Sequence, residues 1–198
     1  MPYELIIVGC SLGGLNAMQI VLADLGRDLL TPMILIQHRD KSTGLAMIRV
    51  LQKCTHLNVM DADDKANIVP GNLYVAPAGY HLLVDEKMIS LSTEMPIKHA
   101  QPSIDVAFDS AARSYKKDLI GVVLTSSSVD GAQGAACIEL HGGCLIVQDP
   151  KTAENGTLPK AALAVTTRAK VVKLEEIAPV LTKLCGSKGG ANAVRSSR

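Results

Sequence analysis

The amino-acid sequence predicts an α/β protein with a doubly wound, mostly parallel sheet, helices on both of its faces and an inserted antiparallel hairpin. Short, uniformly apolar runs such as Leu5–Val8 and Met33–Ile36 are typical of strands that are buried on both faces. Segments with apolar residues at helical spacing alternate with these runs, which favours parallel strands joined by crossover helices. Hydrophobic residues make up 47% of the chain and aromatic residues only 3%, so the core must be mostly aliphatic.

Turn residues and apolar spacing place the individual elements in chain order. Leu15, Met18, Leu22 and Leu25 mark the apolar face of the first helix, and Ser103 can cap a later one. Two short apolar runs on either side of residues 85–87 indicate the hairpin. The predicted strands cover residues 5–8, 33–36, 57–60, 73–76, 81–84, 88–91, 119–124, 144–147 and 171–172. The predicted helices cover residues 15–26, 43–53, 104–115, 131–140, a short stretch from Pro159, and 177–184.

Composition narrows the class of protein. The elements fit one domain over residues 1–185, and the small polar residues of 186–198 predict a disordered tail. A net charge of +1 gives no bulk electrostatic support for a nucleic-acid partner. The five cysteines are odd in number and widely spaced, which argues for reduced thiols and a cytoplasmic location. With no signal peptide and no apolar run of about 18 residues in the sequence, we expect no membrane insertion.

The first predicted strand ends in a glycine-rich turn, Gly9-Cys10-Ser11-Leu12-Gly13-Gly14. This turn fits the G-x-S-x-G pattern of a nucleophile elbow, in which glycines allow a tight backbone and leave the serine hydroxyl exposed. The same turn opens a helix, and helix N-termini also bind phosphates and other anions. The turn therefore predicts either a serine nucleophile or an anion site.

Three strands are expected to end at the same edge of the sheet with side chains that could form a catalytic triad, in the order Ser11, His38 and Asp130. A serine hydroxyl becomes a good nucleophile when an imidazole takes its proton, and a buried carboxylate fixes the tautomer of that imidazole. The α/β-hydrolases place the acid before the histidine along the chain, so this order argues against that fold.

The sequence resembles the catalytic domain of the chemotaxis receptor methylesterases, the CheB-type protein-glutamate methylesterases. The likeness runs from about Leu5 to Leu184. The segments that carry it are Val8–Gly14, Ile36–His38, Pro70–Pro77, Gln101–Val106, Leu124–Thr125 with Asp130–Ala132, and Gln148–Asp149.

The resemblance implies a function and a set of roles. The family's nucleophile falls on Ser11, its base on His38 and its carboxylate on Asp130, while backbone N–H groups of Leu12 and Ser127 would hold the oxyanion. The implied reaction is hydrolysis of glutamate γ-methyl esters on the cytoplasmic helices of methylated chemoreceptors, often with deamidation of glutamines. It needs no metal and no cofactor. The family enzyme usually also carries a receiver domain, which this sequence does not contain.

Two loops depart from the family pattern. Leu12 stands where the family usually has threonine, and Ser126-Ser127-Ser128 replaces Gly-Met-Gly before Val129 and the acidic residue. If the loop requires positive φ, losing its glycines would displace an oxyanion donor, and one lost donor costs about 10²–10³ in rate.

Several alternatives accompany this interpretation. Cys10 could be a thiol nucleophile, although a small apolar residue facing the core is more typical of its position. His81 and His99 are other candidate bases. The segment Ser126-Ser127-Ser128, called the serine loop below, could bind a phosphate. The carboxylates of residues 61–64 lack the spacing of a Ca²⁺ loop and indicate a solvated loop. A binding module without catalysis and a nucleotide- or phosphate-binding protein are the alternative functions.

Overall fold

The structure, a computed structural model, describes residues 3–39, 44–97 and 99–186. The tail predicted over 186–198 lies outside the described residues except for Gly186, which follows the last helix.

Nine strands and six α-helices are described. The strands are β1 (Leu5–Cys10), β2 (Met33–Gln37), β3 (Asn58–Asp61), β4 (Asn72–Val75), β5 (His81–Asp85), β6 (Met88–Ser92), β7 (Leu119–Val123), β8 (Cys144–Gln148) and β9 (Lys170–Val172). The helices are α1 (Gly14–Ala23), α2 (Gly44–Gln52), α3 (Ile104–Tyr115), α4 (Ala132–Leu140), α5 (Thr157–Val165) and α6 (Ile177–Cys185).

Seven strands form one parallel sheet in the order β3-β4-β2-β1-β7-β8-β9. The chain proceeds from β1 towards one edge through β2 and then returns to β7 on the opposite side of β1. The order of strands therefore reverses between β1 and β7, and ligands of such sheets bind in the crevice at that point. Strands β5 and β6 form a separate antiparallel pair, the predicted hairpin.

Each face of the sheet carries its own apolar core, because side chains of successive residues in a strand point to opposite faces. On one face, Ile6, Val8 and other strand residues pack against helices α1, α2 and α6. On the other face, Leu5, Ile7 and their neighbours pack against α3, α4, α5 and the hairpin. The predicted doubly wound fold with an inserted hairpin is confirmed.

The central strands are short and fully buried, and the helices that cover them begin at residues suited to that role. Ser103 caps α3 as predicted, since its hydroxyl accepts a hydrogen bond from the N–H of Val106. Helix α1 begins after Gly13, whose φ of 75° lies in the left-handed region that favours glycine. The element boundaries are close to those predicted, except that α1 ends at Ala23 rather than near Gly26, and α5 begins two residues before Pro159.

Within the described ranges, none of the helices is long and apolar enough to cross a membrane.

Candidate active site

The predicted site residues meet at the carboxyl ends of β1, β2 and β7, at the point where the strand order reverses. Ser11 follows β1, His38 follows β2, and Ser127 and Asp130 lie in the loop after β7. A cavity of about 510 Å³ opens at this edge of the sheet. Its described lining consists of Ser11, His38, Arg39, His99, Ala100, Gln101, Ser127 and Ser128.

His38 and Asp130 form a direct pair. Nε2 of His38 lies 2.8 Å from Oδ2 of Asp130, and the carboxylate is fully buried behind the imidazole. A carboxylate only accepts hydrogen bonds, so the proton of this contact belongs to Nε2. Nδ1 is therefore the nitrogen left without a proton in the neutral ring, and it is the one available as a base.

Asp130 is held by several donors besides His38. Its Oδ2 accepts from the N–H of Ile104 at 2.7 Å, and its Oδ1 accepts from the Ser103 hydroxyl at 2.8 Å and the N–H of Asp105 at 3.2 Å. Burial by itself would raise the pKa of the Asp130 carboxyl. The hydrogen bonds from His38, Ile104, Ser103 and Asp105 outweigh burial, so the pKa is lowered from its ordinary value. The carboxylate is thus kept ionised opposite the imidazole.

The N-termini of α3 and α4 each donate backbone hydrogen bonds to a carboxylate at the start of the other helix. Asp130 precedes α4 and accepts from the first N–H groups of α3, whereas Asp105 in α3 accepts from the N–H groups of Gly131 and Gly134 at 2.8 Å each. Each acid lies where the positive end of a helix dipole stabilises negative charge. This reciprocal arrangement fixes the position of Asp130 relative to the sheet.

The Ser11 hydroxyl lies in the same cavity and is free to react. Its Oγ forms no hydrogen bond with any described residue, including the ring of His38, while its backbone N–H donates to the carbonyl of Thr125 at 3.0 Å. The structure therefore brings Ser11 to the cavity that His38 lines, with Asp130 buried behind the ring, and no hydrogen bond among the described residues joins Ser11 to that pair.

Gln37 fixes the backbone between the predicted nucleophile and base, a role that sequence reasoning missed. Its Nε2 donates to the carbonyl of Ser11 at 2.8 Å and to that of His38 at 3.2 Å. Its Oε1 accepts from the thiol of Cys10 at 2.9 Å. The position of Gln37 directly before His38 was the only sequence signal for this role.

The two predicted oxyanion donors are uncommitted. Among the described residues, neither the N–H of Leu12 nor the N–H of Ser127 donates a hydrogen bond. The loops that carry them are tied together, because the Thr125 hydroxyl donates to the carbonyl of Leu12 at 2.9 Å. Two free backbone donors on adjoining loops beside a serine suit the stabilisation of an oxyanion.

The backbone of the serine loop, residues 126–128, does not need glycine. None of Ser126, Ser127 and Ser128 has a positive φ, so side chains are accommodated there without backbone strain. The Ser126 hydroxyl accepts from the N–H of Ser128 at 3.1 Å, and the Ser128 hydroxyl accepts from the N–H of Asp130 at 3.0 Å. Hydrogen bonds from serine side chains to the backbone thus shape this loop.

The alternative nucleophile and bases are placed differently. Cys10 is fully buried, and burial raises the pKa of its thiol, so it remains protonated and unreactive. Both ring nitrogens of His81 are engaged, with Nδ1 accepting from the N–H of Ser103 and Nε2 donating to the carbonyl of Met95. His99 is exposed and belongs to the lining of the cavity.

Anion and metal binding have less support. A Cβ atom on Gly13 would lie 2.6 Å from a carboxylate oxygen of Glu154, so a negative charge already occupies the start of α1 where a phosphate would bind. Asp61 ends β3 and pairs with Arg39, rather than belonging to a solvated loop. Across residues 3–39, 44–97 and 99–186, no group of three or more His, Cys, Asp or Glu side chains could hold a metal ion.

Comparison with known proteins identifies the family of this chain. A family model described as CheB methylesterase matches residues 6–181. This chain belongs to the CheB methylesterase family. The matched range includes the ends of β1, β2 and β7. It also includes every described residue that lines the cavity.

Named relatives and a solved structure extend the comparison. A candidate protein-glutamate methylesterase/protein-glutamine glutaminase of Leptospira interrogans is 39% identical over 93% of this chain and 96% of its own length. A protein-glutamate methylesterase/protein-glutamine glutaminase of Symbiobacterium thermophilum is 30% identical, and this chain spans 52% of it. The CheB methylesterase catalytic domain of Thermotoga maritima superposes with a TM-score of 0.87 at 26% identity, over 93% of this chain and all of that one.

The serine loop gives a first prediction. Ser126→Ala removes the hydroxyl that holds the N–H of Ser128, and this donor would lose its only described partner. We expect the loop to shift and the N–H of Ser127 to be misplaced, lowering kcat by about 10–100-fold, short of the full loss of one oxyanion donor. Steady-state methanol release checks this value.

Ser110→Ala is the matched control for that change. Its hydroxyl, on α3, likewise accepts from a backbone N–H, that of Val84 in β5, and neither residue belongs to the described lining of the cavity. Both variants should lose about 1–3 kcal/mol of unfolding free energy, and only Ser126→Ala should lose kcat. An unchanged kcat in Ser126→Ala would show that this hydroxyl does not position the donor.

Proposed function

We propose that this chain is a serine hydrolase that removes methyl groups from glutamate γ-methyl esters of methylated chemoreceptors. The observation that carries the proposal is the pairing of His38 with the buried Asp130 carboxylate, because His38 lines the same cavity as Ser11, whose hydroxyl has no partner among the described residues. The names of the relatives support the same reaction and add deamidation of glutamine. Both reactions transfer an acyl group and release a small leaving group, methanol or ammonia.

The chemistry follows from the protein groups alone. Oγ of Ser11 attacks the ester carbonyl while Nδ1 of His38 takes its proton, and Asp130 holds the ring through Nε2 and stabilises the imidazolium. The backbone N–H groups of Leu12 and Ser127 stabilise the oxyanion. His38 then gives the proton to departing methanol, which leaves an ester between the substrate acyl group and Ser11. Water attacks this ester while Nδ1 of His38 takes its proton. His38 returns that proton to Oγ of Ser11 as the glutamate carboxylate leaves.

The surroundings of the cavity suit a protein substrate. Leu12 and Val129, next in the chain to Ser11 and Asp130, are each 50% exposed, and Met95 and Ile97 are exposed near Ala100 of the cavity wall. Exposed apolar side chains around a polar cavity favour contact with a partner surface. An amphipathic receptor helix could lay its apolar face on them and place a side-chain ester in the cavity.

A direct assay tests the proposal. The purified chain is incubated with a receptor cytoplasmic fragment that carries radiolabelled methyl esters, and volatile methanol is counted. A parallel sample with a glutamine-bearing fragment measures ammonia. We expect enzyme-dependent methanol release. Complete alkaline hydrolysis of an equal sample gives the total amount of releasable methanol for comparison. Binding of the fragment without release of methanol or ammonia would contradict the hydrolase and favour a binding module.

A further inference from the structure

His81 is a buried histidine behind the candidate active site that the proposed mechanism does not use. It is the first residue of β5, and only 2% of it is exposed. It does not belong to the described lining of the cavity that contains Ser11 and His38. Buried polar groups need hydrogen-bond partners, so the role of this ring depends on what its two nitrogens bind.

Each ring nitrogen of His81 has one backbone partner. Nδ1 accepts from the N–H of Ser103 at 3.2 Å, and Nε2 lies 3.1 Å from the carbonyl of Met95. A carbonyl only accepts hydrogen bonds, so Nε2 carries the ring proton and Nδ1 carries none. The neutral ring therefore satisfies a donor and an acceptor at the same time.

Ser103 connects this ring to the carboxylate of Asp130. Its hydroxyl donates to Oδ1 of Asp130 at 2.8 Å, while its N–H donates to His81. The N–H groups of Ile104 and Asp105 donate to the same carboxylate at 2.7 Å and 3.2 Å. Three donors to Asp130 thus belong to the consecutive residues 103–105, and His81 fixes the first of these residues.

The start of α3 depends on acceptors outside the helix. The first N–H groups of a helix have no partner within it, and among the described residues only His81 accepts from the N–H of Ser103. Without that acceptor a buried donor would be unsatisfied, and the start of α3 would shift to relieve it. The shift would turn the donors of residues 103–105 away from Asp130. Its carboxylate would then leave the position in which it lies 2.8 Å from Nε2 of His38.

We propose that His81 is a positioning residue for the reaction. Through the N–H of Ser103 it holds the start of α3 so that Asp130 faces Nε2 of His38. This inference rests on the proposed function. His81 would act on kcat through Asp130, and its bond to Met95 lies outside the series of hydrogen bonds that leads to the carboxylate.

Two amide substitutions test the inference, because each can keep one bond of the ring. In His81→Asn the side-chain oxygen takes the place of Nδ1 and can accept from Ser103. In His81→Gln the side-chain NH₂ group takes the place of Nε2 and can donate to Met95, but Ser103 loses its acceptor. We expect His81→Gln to lower kcat for methanol release about 10–100-fold with little change in KM. His81→Asn should stay within about threefold of the wild-type kcat.

Ser110→Ala is the matched control. The Ser110 hydroxyl on α3 accepts from the N–H of Val84 at 3.0 Å, so its loss weakens contact between the same two elements away from the start of the helix. This variant should keep the wild-type kcat. His81→Leu lacks both ring bonds and should lose kcat as His81→Gln does, and it replaces that variant if the glutamine variant does not fold. Thermal unfolding checks that each variant is folded.

Proton NMR of the His38 ring gives a second readout that does not depend on turnover. The hydrogen on Nε2 is shared with a buried carboxylate oxygen 2.8 Å away, so its resonance should lie far downfield in the wild type. We expect His81→Asn and Ser110→Ala to keep this resonance. In His81→Gln it should move upfield or be lost through exchange with water.

The outcomes separate this inference from the proposed function. Equal kcat values in His81→Gln and His81→Asn, whether normal or reduced, would overturn the role of His81 and leave the methylesterase intact. A loss confined to His81→Asn would overturn it as well. If the wild type releases no methanol, the proposed function fails, and the His38 resonance then decides. Its loss in His81→Gln but not in His81→Asn would support the inference, and the same behaviour in both variants would overturn it.

Discussion

Replacing Ser11 by alanine is expected to reduce methanol release from a methylated receptor fragment by about 10⁴–10⁶-fold. The hydroxyl is the predicted nucleophile, and without it only the oxyanion donors and substrate binding can assist attack by water. The Ser11 hydroxyl has no hydrogen-bond partner among the described residues, so its removal should leave thermal stability nearly unchanged. Radiolabelled methanol release and a thermal melt measure the two effects on the same preparation.

Cys10→Ala is the control for this change, because it removes a possible nucleophile from the adjacent position. The thiol is buried and its pKa is raised by that burial, so we expect less than about a tenfold loss, caused by the missing contact with Gln37. If Cys10→Ala were inactive and Ser11→Ala active, the serine mechanism would be wrong. A wild type that is itself inactive would instead favour the binding module.

Much of this fold could be predicted from sequence because its central strands are buried on both faces. Such strands must be uniformly apolar, which makes runs such as Leu5–Val8 and Met33–Ile36 conspicuous. Polar residues at the ends of these runs then have to lie at one edge of the sheet, and this is why Ser11, His38 and Asp130 could be identified together.

The remainder of the site depends on contacts that no local pattern encodes. Asp61 could not be paired with Arg39 from sequence, since their proximity depends on the positions of β3 and β4 beside β2. Ser103 could be predicted as a helix cap, but its bond to Asp130 requires that α3 start beside the β7 loop. The conformation of the loop at residues 126–128 could not be predicted either, because it depends on hydrogen bonds from the Ser126 and Ser128 hydroxyls to backbone N–H groups rather than on glycine.

Asp130→Asn is expected to lower turnover by about 10⁴. Oδ2 of Asp130 accepts from both His38 and Ile104, and Oδ1 accepts from Ser103 and Asp105. An amide has a single acceptor oxygen, so either orientation points its NH₂ group at a backbone N–H. In the orientation in which the NH₂ group also faces His38, this group donates to Nε2. The ring proton must then lie on Nδ1, so Nδ1 can no longer act as the base. Two-dimensional ¹⁵N spectra of the imidazole would show this change of tautomer.

The same substitution predicts how stability depends on pH. Because the native pKa of Asp130 is lowered, the unfolded chain binds more protons as pH falls below the ordinary value of about 3.9. The stabilisation is therefore complete above that pH and is lost as pH falls through the native pKa. The gap in unfolding free energy between wild type and Asp130→Asn should be widest near neutral pH and should narrow below about pH 4.

Asp109→Asn is the matched control for both effects. Asp109 also has a lowered pKa, caused first by its hydrogen bond from Arg113, but that pair lies on the exposed face of α3. Its replacement should change the unfolding free energy by less than about 1 kcal/mol and leave methanol release unchanged. Urea unfolding at a series of pH values gives the difference in unfolding free energy between the wild type and each variant. If the difference for Asp130→Asn stays constant down to about pH 3, the buried carboxylate is not preferentially ionised in the native state.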